Sequence, residues 1–319
     1  MDIAKGTESA GTPTPLTPAW TWVRGFGQVD LQSNVVTGLL IWVSLWAAGW
    51  AVGLYATIGV LVSTLTAHLL GGDAKAIRLG LYGYSGCLAG IALVVNLGAH
   101  VSTLVLTVVG AVLCAILTAA LNTFLAPHGL TALTAPFCLV SGVMVLGAPS
   151  FARIWHGAPD SARAGTVSAG TALTWNQAWH AFFCNVSQVF LVNSWYVGLI
   201  MLVGLAFAGW AVFAFTAGGS VVGTLAAWAL GAPAQLIGNG IYGYNAVLVA
   251  LALGAVLLEA SPWSVGYALV GAAASVGLTA SVTSLFTTFG GHTFTWPFIL
   301  ITWGFVLAAP AFSRLGKSA

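Results

Sequence analysis

The only side chains in this sequence placed to do repeated chemistry are neutral ones that occur twice. Gln28 recurs as Gln188, Tyr84 as Tyr244 and Thr134 as Thr295, each in apolar surroundings. An amide, a phenol and a hydroxyl donate and accept hydrogen bonds without charge. Such a set suits the handling of a small neutral molecule. The apolar stretches hold no paired carboxylates, no Ser–His pair and no His/Cys cluster at metal-ligand spacing, so an enzyme is not expected, and neither is a cofactor. Asp73, Asp160 and Glu259 fall in loops, and Asp30 at the mouth of the first apolar span. His68 is the only histidine well inside a span; its counterpart is Trp228, and it reads as a satisfied structural histidine. Pumps driven by protons or sodium ordinarily carry ionisable groups within the membrane. Passage should therefore be passive.

Those pairs belong to a duplication. Leu81-Tyr82-Gly83-Tyr84 returns as Ile241-Tyr242-Gly243-Tyr244, 160 positions on, together with Gln28 and Gln188, Gly38 and Gly198, and Gly49-Trp50-Ala51-Val52 and Gly209-Trp210-Ala211-Val212. One added residue in the second copy then makes the offset 161, and Thr134, Pro136-Phe137 and Ala148-Pro149 meet Thr295, Pro297-Phe298 and Ala309-Pro310. So long a period marks a duplicated domain and not a solenoid, whose unit is about 20–50 residues.

What positions the pairs must be built in lipid. Hydrophobic residues make up 59% of the 319 positions and charged ones 4%, against about 25% charged in soluble domains. The mean hydropathy is +0.98. The net charge of +2 gives no reason to expect nucleic acid. Cys87, Cys114, Cys138 and Cys184 sit in or beside apolar runs at irregular spacing and read as small buried residues. Helical spans are predicted at 35–52, 53–71, 79–97, 100–121 and 134–151, and again at 195–213, 214–231, 238–258, 263–283 and 295–311. The segments 121–133 and 283–294, broken by Pro127, Gly129, Gly290 and Gly291, are predicted to dip into the membrane, where irregular backbone survives only inside protein or beside a water-filled cavity.

Five spans per copy put the second copy in upside down, the inverted-repeat plan of many transporters. The fold class expected is an all-α integral membrane protein with ten transmembrane helices and two re-entrant segments, built as two inverted five-helix repeats. Its divisions are a disordered tail at 1–20, repeats at 21–153 and 182–315, a linker at 154–181 and a short tail at 316–319. Lys5, Arg24, Lys75, Arg78, Arg314 and Lys317 fall on one side, and only Arg153 and Arg163 on the other. The excess of basic residues faces the cytoplasm, so both termini are expected there and the linker outside. Recurring glycines such as Gly59, Gly209 and Gly223 serve close helix packing.

Each repeated polar residue has a plainer reading. Gln28 and Gln188 fit interfacial helix caps, Thr134 and Thr295 before their Pro-Phe pairs fit N-caps, and the two tyrosines fit an aromatic belt. Against the belt, Tyr84 and Tyr244 stand four residues before Leu88 and Leu248, so each Tyr–Leu pair shares a helix face.

With these residues in hand, the chain resembles the urea transporters, the facilitative channels of bacteria and animals, over about residues 24–315. The likeness rests on Gln28 to Gly38 and Gln188 to Gly198, on Val62-Ser63-Thr64-Leu65-Thr66-Ala67, on Leu81-Tyr82-Gly83-Tyr84 and its copy, and on Leu133-Thr134-Ala135-Pro136-Phe137 with Phe294-Thr295-Trp296-Pro297-Phe298. The resemblance implies a multi-pass protein of the inner or plasma membrane, in contact with lipid, forming a homotrimer with one pore per subunit. Carried onto this chain, it makes Gln28 and Gln188 the polar mouths, Leu31 with Tyr84 and Leu191 with Tyr244 the slot walls, Leu88 and Leu248 further lining, and Thr134 and Thr295 the constriction. Leu31 and Leu191 stand where the family usually has Phe, so each slot would have one aliphatic wall. Urea is the implied passenger; formamide or acetamide, and less readily ammonia or water, are the alternatives.

Overall fold

In the computed structural model, which describes residues 20–157 and 170–316, the same order of helices is run through twice. The first half contains α1 (Val23–Val29), α2 (Val35–Ala48), α3 (Trp50–Leu69), α4 (Ala74–Arg78), α5 (Tyr84–Leu97), α6 (Val101–Leu125) and α7 (Ala135–Gly147). The second contains α8 (Trp175–Ser187), α9 (Trp195–Ala208), α10 (Trp210–Ala229), α11 (Ala234–Gly238), α12 (Tyr244–Leu251), α13 (Pro262–Thr287) and α14 (Trp296–Ala308). Local chemistry sets the starts and stops. The Asn34 side chain accepts from the amides of Val36 and Thr37 to begin α2, and Asp73 accepts from Ala76 to begin α4. Gly49 and Gly209, both fully extended, separate α2 from α3 and α9 from α10.

The expected spans are corrected in four places. Helix α2 stops at Ala48, because the extended backbone of Gly49 interrupts it four residues sooner than the apolar run suggests. Helix α5 starts at Tyr84 and not at 79, because Gly80 is left-handed with φ +81° and its Cα side lies against the Arg24 backbone. Helices α6 and α13 continue to Leu125 and Thr287, well into the stretches read as broken, which leaves only short irregular segments before Thr134 and Thr295. Finally, α1 and α8 are helices that periodicity did not separate. Helix α8 begins inside the expected linker, where Thr174 and Gln177 form a reciprocal capping box. The tails with Lys5 and Lys317, and the middle of the linker with Asp160 and Arg163, lie outside the described residues.

Among the described residues, α3, α10, α13 and α6 extended to His128 are long and apolar enough to cross a bilayer, and α8 with α9, bent by 77°, would make a fifth span. The remaining apolar helices, α2, α5, α7, α12 and α14, are shorter. Thirteen residues extend only about 20 Å, short of the roughly 30 Å hydrocarbon core, so α7 and α14 are too short to cross it alone. Helices α5 and α12 are apolar on all sides and almost entirely buried, as suits the centre of a bundle. Helix α12 passes into a π turn over Ala252–Val256 that α5 lacks. The halves join through α2 and α9, where the Thr37 hydroxyl donates to Gly204 O at 2.7 Å and the Asn34 amide to Phe207 O at 3.2 Å, and through α7 and α14.

Candidate functional site

The amides come first along the chain. Gln28, in the last turn of α1, donates through Nε2 to Leu79 O at 2.9 Å; Gln188, just past α8, does the same to Asn239 O at 3.0 Å. Each amide is thus pinned across the half by its nitrogen, which leaves its oxygen as an acceptor. The carbonyls they reach belong to the residues that close the short helices α4 and α11, and Gln188 itself closes α8, so the cap reading holds in this form. The glycines ten residues on explain the spacing: a Cβ on Gly38 would stand 2.2 Å from Val23 O, and one on Gly198 would stand 1.9 Å from Phe183 O. Only glycine lets α2 and α9 approach the short helices that carry the glutamines.

Among the described residues four that are not glycine are left-handed, and they form two twin pairs: Leu31 (φ 58°) with Leu191 (φ 57°), and Leu133 (φ 46°) with Phe294 (φ 41°). This conformation is uncommon for bulky residues and costs about 1–3 kcal/mol apiece. Leu133 and Phe294 are held in it by the tyrosines, since the Tyr84 hydroxyl donates to Leu133 O and the Tyr244 hydroxyl to Phe294 O. Tyr84 is 7% exposed. The tyrosines therefore face inward and do not form a lipid-interface belt.

The strained turns deliver Thr134 and Thr295 to the first positions of α7 and α14. Both stand at N-caps, yet neither hydroxyl bonds its own helix. Instead Thr134 Oγ1 and Thr295 Oγ1 meet at 2.6 Å, both buried, 161 positions apart in sequence. Cys138 Sγ lies 3.2 Å from Thr295 Oγ1. Two helix N-termini, each bearing partial positive charge, thus meet at a neutral hydroxyl pair, and the first amides of α14 are already taken, Trp296 N by Thr293 O and Phe298 N by Asn245 Oδ1.

Of the expected site residues, Gln28, Leu31 and Tyr84 line one cavity of about 270 Å³, joined by Asn122, Thr131, Leu133, Val256 and Leu257. Gln188, Leu191 and Tyr244 are not among its lining; they are half-buried in the second half. Leu88 and Leu248 are completely buried, and this cavity does not reach them. Sequence reasoning passed over Leu133 and Phe294, although both stood beside the repeated threonines. It also passed over Asn122, whose Oδ1 accepts from Ala132 N at 2.8 Å and fixes the irregular segment, and over Cys138, whose twin position holds Ile299.

Two readings of ionisable groups need correction. His68 is no satisfied interior histidine; it is exposed at the end of α3, as is Trp228 on α10. Asp30 is not at a wet mouth. It is completely buried, and neither carboxylate oxygen has a hydrogen-bond partner among the described residues. Its twin is the fully buried Phe190, so the position is built for an apolar side chain. Replacing Asp30 with Leu is expected to raise stability by about 1–3 kcal/mol, the cost of burying an unsatisfied polar group. The check is the thermal midpoint of the purified protein in one detergent; an unchanged or lower midpoint would reveal a partner for the carboxyl.

The protein is membrane-embedded, all-helical among the described residues and built of two matching halves whose neutral polar groups recur in pairs. The chain belongs to the urea transporter family, whose sequence profile matches residues 20–310. Urea transporter 1 of Ovis aries is 30% identical over 295 residues, covering 90% of this chain and 76% of that protein. Urea transporter 1 of Rattus norvegicus is 27% identical over the same shares, and that of Mus musculus 30% over 246 residues, covering 74% and 63%.

Proposed function

We propose that this protein is a passive channel for urea, and that the Thr134–Thr295 hydroxyl pair is its narrowest point. The observation that carries the reading is that pair: two neutral oxygens from the two halves, 2.6 Å apart and buried. In this reading each half supplies five spans and one re-entrant segment, the second half is inverted, both termini are cytoplasmic, and three copies assemble with a pore in each. The domain limits are 21–153 and 182–315, with the linker outside.

Urea carries four N–H donors and one carbonyl. The Gln28 and Gln188 amide oxygens meet it at either mouth. It then passes edge-on between Leu31 and Tyr84, past Leu88, across the threonines, and on past Leu248 between Leu191 and Tyr244. Each exchange of water for a protein oxygen is worth only about 0.5–1.5 kcal/mol, weak enough for the molecule to leave. The aliphatic walls at Leu31 and Leu191 lack the quadrupole of a ring, so formamide and acetamide should pass as well.

Stopped-flow light scattering of proteoliposomes under inward gradients of urea, formamide and glycerol tests this. Urea and formamide should relax the vesicles well above protein-free controls, glycerol should not, and an imposed pH gradient should drive no accumulation of labelled urea. Urea relaxation no faster than in empty vesicles would end the reading.

A further inference from the structure

The two halves differ in side-chain size at one matched position, Gly142 on α7 and Trp303 on α14, which are 161 apart like Thr134 and Thr295. Trp303 is partly buried against the core, and its indole Nε1 donates at 2.9 Å to Thr131 O in the irregular segment of the first half. At the twin place nothing fills the space. A Cβ built on Gly142 meets no atom within 4 Å. An apolar groove of about 280 Å³ lies there, walled by Gly142, Cys138, Phe286, His292 and Trp296 and opening outward beside the exposed Val143 and Phe289. His292 is the twin of Thr131, so the backbone carbonyl that would receive an indole N–H is His292 O. Just below the roughly 300–1,000 Å³ typical of ligand pockets, the space suits one bicyclic ring.

We infer that this cavity is a binding site for a flat, neutral aromatic molecule of indole size carrying one N–H donor, seated against Gly142 with its donor on the His292 carbonyl. The twin half shows the shape and the polar contact that such an occupant would adopt, because Trp303 supplies them covalently. The pocket wall is shared with the hydroxyl pair: Cys138 faces the cavity and its Sγ lies 3.2 Å from Thr295 Oγ1. Occupancy therefore reaches the constriction through a single side chain. The site does not depend on which solute crosses the pore.

The test is a titration of 5-fluoroindole into the full-length protein in nanodiscs, read by 19F NMR. Saturable binding at one site per chain is expected, about tenfold weaker or lost in Gly142→Trp, whose own ring fills the space. It should be unchanged in Gly304→Trp, which alters an exposed twin-half glycine. Competition by 1-methylindole, which lacks the donor, should be about fivefold weaker than by indole. Should Gly142→Trp not fold, Trp303→Gly opens the twin cavity beside Thr131 O and should raise the stoichiometry from one site to two. Equal binding in Gly142→Trp and wild type, a stoichiometry of one in Trp303→Gly, or equal competition by indole and 1-methylindole would each overturn the proposal. The last of these would mark the cavity as a groove for lipid chains.

Discussion

Thr134→Val and Thr295→Val should each lower urea permeability in reconstituted vesicles by about tenfold, the effect of roughly 1.4 kcal/mol on the barrier. Valine keeps the shape of threonine and removes the oxygen, so the width of the passage is held while its polarity falls. The loss exceeds that of an exposed hydrogen bond because the hydroxyls are buried, and a molecule stripped of water there has no other acceptor of comparable placement. Since the hydroxyls bond each other at 2.6 Å, removing either already breaks the pair. The double substitution should therefore cost less than the product of the two singles. Wild-type permeability in both single variants would move the barrier to another point of the path. A loss in Thr134→Val without one in Thr295→Val would instead show that the halves are unequal at the centre, where Cys138 has no twin.

Gly198→Ala should be among the most destabilising single substitutions in the chain, by about 3 kcal/mol or more. The added methyl would stand 1.9 Å from Phe183 O. A backbone carbonyl on a helix cannot swing aside as a side chain would. Helix α8 must move as a body, and Gln188 at its end must let go of Asn239 O. Gly38→Ala repeats the conflict with Val23 O at 2.2 Å and should behave alike. Gly218→Ala is the control. Its Cβ meets nothing within 4 Å, and within α10 alanine is the better helix former by about 1 kcal/mol. The measurement is the thermal midpoint of monodisperse protein in one detergent; Gly198→Ala and Gly218→Ala shifting together would show that close approach of the helices is not what these glycines serve.

The amino-acid sequence alone determined the duplication, the apolar character and the identity of the paired neutral side chains, because each is a property of residue type and spacing. Gln28 with Gln188 and Thr134 with Thr295 are visible in a one-dimensional alignment of the chain with itself. It also set most helix centres, since long apolar runs with few breakers have no other stable form in lipid. Tertiary structure decided what each polar atom does. Thr134 looks like a helix cap until Thr295 arrives from the other half, and Asp30 looks like a mouth residue until α1 folds it inward without a partner. No local pattern marks Leu133 or Phe294 as left-handed, because tyrosines some fifty residues away hold their carbonyls. Nor does spacing distinguish Gly142 from any packing glycine; only Trp303 in the matching place shows the space it leaves. Those assignments depend on contacts between segments far apart in the chain, which exist only once each half has folded, for the tyrosines, and once the halves have met, for the threonines and Trp303.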